Sequence, residues 1–210
     1  MKMEVKICGL TNAEDAKVAL DCGADYLGFV LYPGSPRYVN PAKLRNLLDR
    51  IGSGHNCVAV FVNEARASVE RIAAACGLYA VQIHGDEEAA GFENMPMPVW
   101  RAVRSKAGIF SPNPDQWPAA RYVIDAPTQP RNRPDAYGGT GVATDWTTAS
   151  AFARKYPIML AGGLTPANVR DAISAVRPLG VDVCSGVEAK PGRKDHDKLR
   201  EFIRNAKEAA

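Results

Sequence analysis

The chain has 210 residues, of which 46% are hydrophobic and 23% charged, so it fits one soluble domain that buries enough surface to need neither a disulfide nor a structural metal. A net charge of +3, with lysines and arginines scattered rather than blocked, argues against a nucleic-acid partner and suits a small anionic substrate. Five cysteines with no Cys-x-x-Cys pair argue against a disulfide framework or zinc and for a reducing compartment; a charged, short amino end and the lack of any apolar stretch near ~20 residues exclude a signal peptide and a membrane span, which predicts a cytoplasmic protein.

Short apolar runs recur in chain order, most followed by a helical pattern. Residues 5–7 run into Cys8-Gly9, and Thr11 three before Glu14 reads as a capping box opening a helix through Ala16, Val18, Ala19 and Leu20. Residues 26–31 lead to a turn held stiff by Pro33 and Pro36, then Asn40-Pro41 starts a helix carrying Leu44, Leu47, Leu48 and Ile51. Residues 57–62 precede a helix at Val69, Ile72, Ala73 and Cys76 that stops at Gly77. Residues 80–83 end at His84, and 99–103 follow; the helices after these two runs, near Glu87 and Phe110, are interrupted by glycine and proline. Residues 122–124 end at Asp125, before an irregular stretch, 126–144, of a length that is usually functional. Asp145 caps a helix through Phe152, residues 158–161 run into Gly162-Gly163, and Thr165-Pro166 opens a helix carrying Val169, Ile173 and Val176. Residues 181–184 run into Ser185-Gly186, and a last helix spans about 197–206.

The runs are continuous rather than alternating, as strands buried on both faces read. Eight of them alternating with helices predict an α/β protein with parallel strands and right-handed crossovers. The eight-fold count favours a single (β/α)8 TIM barrel over residues 1–210. In that fold chemistry sits at the carboxyl ends of the strands, with phosphate bound after the seventh and eighth.

Those positions hold the candidates. Cys8 ends the first run; a free cysteine is commonly a small buried apolar residue, but at a barrel mouth a thiol with a lowered pKa is a base, and nearby backbone N–H groups or Lys6 could lower it. Asp125 ends the sixth run, either as a cap or as a general acid whose pKa an apolar pocket raises. Gly162-Gly163 and Ser185-Gly186 follow the seventh and eighth runs, where backbone N–H groups cradle a phosphate. Gly139, Thr140 and Gly141 lie in a glycine-rich loop suited to a mobile lid. Arg37, in the stiff turn, is either a solvated arginine or a fixed guanidinium that grips a carboxylate through two parallel bonds. His84 ends the fourth run as a structural histidine or a substrate contact. The three histidines are far apart, so no metal is expected. There is no Walker lysine and no dinucleotide fingerprint.

In this order, KICGLT (6–11), GADYLGFV with SPRYV (23–39), VAVFVN (58–63), VQIHGDE (81–87), GGTG (138–141) with Asp145-Trp146, LAGGLTPANV (160–169) and VDVCSGVEAKPGRKD (181–195) make a chain that resembles the phosphoribosylanthranilate isomerase family of tryptophan biosynthesis. The resemblance covers nearly the whole chain. It implies Cys8 as general base, Asp125 as general acid and Arg37 on the anthranilate carboxylate. It further implies Gly162, Gly163, Ser185 and Gly186 on the phosphate with the loop of Gly139, Thr140 and Gly141 beside them, and Asp182 orienting the substrate. The implied reaction is an Amadori rearrangement of a phosphoribosyl substrate without a cofactor, by a monomer or homodimer. Cys184 stands where the resemblance expects serine and Gly34 where it expects lysine; neither touches the acid–base pair.

Two other readings fit parts of the pattern. Another phosphosugar isomerase or epimerase of this barrel type would need paired His and Asp metal ligands, or an aspartate in place of Cys8. A phosphate-binding regulatory module would have no use for Cys8 and Asp125 together.

Overall fold

The structure, a computed structural model, describes residues 2–106, 109–125 and 145–209, the side chains of Lys106 and Asp125 excepted. Eight parallel strands close into a ring: β1 (Glu4–Ile7), β2 (Tyr26–Val30), β3 (Cys57–Phe61), β4 (Ala80–Ile83), β5 (Val99–Lys106), then, after the short β6 (Ile109–Ser111), β7 (Arg121–Asp125), β8 (Ile158–Leu160) and β9 (Gly180–Val183). β9 pairs back onto β1 with Lys6 opposite Asp182 and Ile7 opposite Val183. Helices α1 (Ala13–Asp21), α2 (Pro41–Ile51), α3 (Arg66–Cys76), α4 (Trp146–Ala153), α5 (Val169–Val176) and α6 (His196–Glu208) lie outside the ring. This is the expected (β/α)8 barrel. No helix among the described residues is long and apolar enough to cross a membrane.

Two apolar layers follow from the two-residue period of the strands. Val5, Ile7, Leu27, Phe29, Ala59, Phe61, Val81, Ile83, Ile124, Leu160, Val181 and Val183 face the helices and join their buried stripes. Tyr26, Val58, Ala80, Trp100, Val123, Met159 and Ala161 form a second, inner cluster. The inner face is not apolar throughout: Lys6, Gln82 and Asp182 are buried there as well. The runs read as continuous because Lys6, Gln82 and Asp182 are single polar residues inside otherwise apolar strands.

Several local expectations are corrected. The cap of α1 is Asn12, whose side chain accepts from Asp15 N, while the Thr11 hydroxyl donates to the Gly192 carbonyl. α5 starts at Val169 rather than at Thr165-Pro166, because Asn168 accepts from Thr165 N and so closes a turn ahead of the helix. The helix expected near Glu87 is one 3-10 turn, Ala89–Phe92, and near Phe110 the chain forms β6, antiparallel to β5. After β9 a 3-10 turn, Ser185–Val187, leads into the hairpin β10 (Glu188–Lys190) and β11 (Arg193–Lys194). Asn40 caps α2 and accepts from Lys43 N, Gly77 ends α3 in the left-handed region, and Asp145 caps α4, all as the sequence suggests.

Candidate functional site

Parallel strands put every carboxyl end on one rim, so Cys8, His84, Asp125, Gly162-Gly163 and Ser185-Gly186 share a mouth. β7 and β1 are separated by β8 and β9 in the ring. With strand spacing near 4.8 Å and the usual tilt, their ends stand roughly 14 Å apart across the opening, a gap that inward-reaching side chains and a sugar can fill.

The Cys8 side of the site is built on β1 and β9. Lys6 is fully buried inside the ring and donates from Nζ to Asp182 Oδ2 at 2.7 Å. One turn of the strand period higher, Cys8 is 8% exposed. Burial alone opposes the charge on Lys6, but Asp182 and Cys8 outweigh it and hold the amine protonated. The Cys8 thiol is held well below its ordinary range; the largest cause is a hydrogen bond from the Cys184 thiol, with the Lys6 and Lys194 ammonium groups working against burial. The partner thiol of Cys184 is pushed up for the same reason; the expectation that Cys184 stays clear of the acid–base pair is therefore corrected, because its thiol hydrogen-bonds directly to Cys8. The charge of this coupled pair therefore sits on Cys8. Gly28 makes the room: a Cβ there would stand 2.9 Å from Cys8 Sγ and 3.1 Å from Lys6 Cε.

Lys194 and Glu188 complete this side. Lys194 Nζ donates to the Cys184 carbonyl at 2.9 Å and to Glu188 Oε1 at 3.3 Å. Glu188 also accepts from Gly192 N. Arg37 does grip a carboxylate through two parallel bonds, and the carboxylate is that of Glu188: Nε to Oε1 at 2.8 Å and Nη2 to Oε2 at 2.6 Å. Burial opposes ionisation of Glu188, but Arg37 and Lys194 prevail and keep its carboxyl below the usual range. The guanidinium is fixed at the rim beside the thiol pair, as the stiff turn predicts.

The glycine loops meet on the neighbouring rim. Gly162 and Gly163 both have positive φ, 81° and 66°, a left-handed turn that glycine makes without steric cost. Asn168 Nδ2 donates to the Gly163 carbonyl at 3.0 Å and pins that turn. Gly186 packs so closely that a Cβ there would lie 1.8 Å from the Leu164 carbonyl oxygen. The two loops thus touch through backbone, and their N–H groups can surround an anion.

His84 is buried, with Gln82 Nε2 3.2 Å from its Nδ1 and Arg104 donating to its carbonyl. Asp125 is the last residue of β7, paired in register with Arg104 and two positions beyond Val123 of the inner cluster. Gly139, Thr140 and Gly141 lie outside the described residues. The sequence reading assigned no site role to Lys194, Glu188 or Asn168. Lys194 and Glu188 come from the hairpin after β9, which follows no strand–helix period. Lys6 had a signal: a lysine two residues before Cys8 in an apolar strand must share its face.

A barrel whose mouth joins a thiol of lowered pKa, a strand-end aspartate and two touching glycine loops defines the class of (β/α)8 barrels with an acid–base pair available at the mouth. The sequence profile of the N-(5'phosphoribosyl)anthranilate (PRA) isomerase family matches residues 5–205, and the chain belongs to that family. It is 44% identical over 208 residues to the N-(5'-phosphoribosyl)anthranilate isomerase of Trichlorobacter lovleyi, covering 99% of each chain. The structure of monomers generated from the dimeric phosphoribosylanthranilate isomerase of Thermotoga maritima superposes with a TM-score of 0.81 at 37% identity, over 98% of this chain and 99% of that one. A phosphoribosylanthranilate isomerase in complex with reduced 1-(o-carboxyphenylamino)-1-deoxyribulose 5-phosphate gives a TM-score of 0.80 at 36% identity, with the same coverage.

Proposed function

We propose that this chain converts N-(5-phosphoribosyl)anthranilate to 1-(2-carboxyphenylamino)-1-deoxyribulose 5-phosphate in tryptophan biosynthesis. The observation that carries the reading is the Cys8 thiol, held below its ordinary range by Cys184, Lys6 and Lys194 on the rim that also bears Asp125 and the glycine loops.

In this mechanism Asp125 gives a proton to the ribose ring oxygen. The C1′–O bond breaks as the anthranilate nitrogen lone pair forms a Schiff base. Cys8 then removes the C2′ proton, and the C–H electrons form the C1′=C2′ bond of an enolamine. Tautomerisation moves a proton to C1′ and leaves the ketose. Backbone N–H groups of Gly162, Gly163, Ser185 and Gly186 hold the phosphate, and Gly139, Thr140 and Gly141 contribute to substrate binding. Arg37, with Glu188 on Nε and Nη2, meets the substrate carboxylate through Nη1. Asp182 and His84 line the interior side of the sugar. Two anchors at the substrate's ends place the reacting carbons between acid and base.

The chain works as one barrel domain in the cytoplasm, without a cofactor, as a monomer or a homodimer; the dimeric Thermotoga maritima relative supports the second. The test is turnover of freshly prepared substrate by Cys8→Ser and Asp125→Asn. Each loses about 10²–10⁴-fold in kcat. Near-normal rates in both end this reading.

A further inference from the structure

Cys8 and Cys184 are neighbours across the line where the barrel closes. The β1–β9 register pairs Lys6 with Asp182 and Ile7 with Val183. The Cys8 N–H continues the ladder by donating to the Val183 carbonyl at 2.8 Å, as a residue paired with position 184 does in a parallel ladder. Lys6 and Asp182 meet side chain to side chain inside the ring. Two residues further on, Cys8 and Cys184 emerge on that same face. Paired positions of adjacent strands have Cα atoms about 4.8 Å apart, inside the range of about 4.4–6.8 Å that a disulfide spans.

We propose that Cys8 and Cys184 form an oxidisable dithiol, a modification site for a two-electron oxidant of the peroxide class, and that oxidation ends in a disulfide across the β1–β9 seam. The chemistry balances in two steps. The Cys8 sulfur attacks one peroxide oxygen, the O–O bond breaks, and the second oxygen leaves as hydroxide and takes a proton to become water; Cys8 becomes a sulfenic acid. The Cys184 sulfur, giving up its proton, then attacks Cys8 sulfur; the S–O bond breaks and a second water leaves. Sulfur has lost two electrons in all and the peroxide has gained them.

Selectivity within the chain follows from the surroundings of the other thiols. Cys57 is buried between β3 and the helices and pushed up to about 12 by burial; Cys22 and Cys76 are also raised by burial. Their thiolate fractions at neutral pH are small, and the thiolate is the reactive form. At the rim, Cys8 is 8% exposed and Cys184 half-buried, which admits an oxidant the size of hydrogen peroxide. Lys6 and Lys194 stabilise the anion that attacks.

The experiment treats the wild-type chain, freed of reductant, with a small excess of hydrogen peroxide and reads mass and turnover together. The expected mass change is the loss of two hydrogens. Non-reducing peptide mapping then joins the Cys8 peptide to the Cys184 peptide, and dithiothreitol reverses the change. In Cys184→Ser the reaction stops at a Cys8 sulfenic acid, trapped by dimedone. Oxidation of Cys22, Cys57 or Cys76 ahead of Cys8 overturns the proposal, as does a wild-type Cys8 that proceeds to sulfinic acid while Cys184 stays a thiol. The activity arm rests on the proposed role of Cys8. Turnover falls in proportion to the linked fraction and returns with reductant. A cross-link that leaves turnover intact supports the dithiol and defeats the base assignment, whereas lost turnover without a cross-link does the reverse.

Discussion

Lys6→Met tests the electrostatic foundation of the site. The substitution keeps the length of the buried stem but removes the ammonium that lies 2.7 Å from Asp182 Oδ2. Both groups are buried, so the aspartate loses its charge partner where water cannot replace it. Breaking a buried pair by removing one member costs about 3–5 kcal/mol. For a chain of this size each kcal/mol moves Tm by about 2–4 °C, so a midpoint value predicts a fall of roughly 12 °C at neutral pH. The double variant Lys6→Met/Asp182→Leu removes both charges and recovers most of the loss, since an apolar replacement of a buried pair is about neutral. Differential scanning calorimetry of the wild type, the single variant and the double variant reads the comparison. A single variant that melts within about 2 °C of wild type, or a double variant that shows only the sum of two losses, refutes the reasoning.

Iodoacetamide alkylation followed by peptide mass analysis orders the thiols: Cys8 reacts first at neutral pH and keeps reacting below the usual thiol range, whereas Cys57 does not react in the fold. Cys8 has a depressed folded-state pKa, so its stabilising contribution is full above the unfolded thiol value and disappears as pH falls through the folded value; equal labelling of all thiols counts against this. Gly186→Ala forces a Cβ toward the Leu164 carbonyl, 1.8 Å away without movement, and spreads the phosphate loops; KM rises about tenfold with kcat nearly unchanged, and an unaltered KM refutes the cradle. Asp15 is buried and accepts from Lys194 N, Asn12 and His196. Asp15→Ala leaves the buried Lys194 N–H without its acceptor at a cost of about 1–3 kcal/mol, and hydrogen exchange quickens in the 188–194 hairpin and at the start of α6. Burial opposes its charge but those hydrogen bonds keep the Asp15 carboxyl low, so in the wild type this contribution is present above the unfolded aspartate value and is lost as pH falls through the lower folded one; unchanged exchange speaks against the role.

The barrel was legible because its signal is periodic. Each run of three to six apolar residues needs two buried faces, and each helix between them carries its own stripe. The positions of Cys8, Asp125 and the glycine pairs at the strand ends were legible because the residues that end or follow a strand are placed once the strand is. What escaped lies where a residue's partner comes from a distant loop. Nothing local tells that Arg37 meets Glu188, 151 residues on, or that Lys194 reaches back to the Cys184 carbonyl from a hairpin. The helix expected near Phe110 failed because Ser105 and Phe110 pair across β5 and β6, and a stretch beside a strand end can satisfy its backbone there without a helix.

The β1–β9 pairing joins the first strand of the barrel to its last. Lys6 and Asp182 are 176 positions apart, and Lys194 arrives later still in synthesis. A nascent or truncated chain that lacks the final fifth of the sequence keeps Lys6 beside Cys8 but lacks Cys184, whose hydrogen bond is the largest cause of the lowered thiol, and the Lys194 ammonium. Reactivity at one sulfur near the amino end therefore reports completion of the opposite terminus, and a thiol-labelling pulse during refolding times the moment the two ends of the polypeptide find each other.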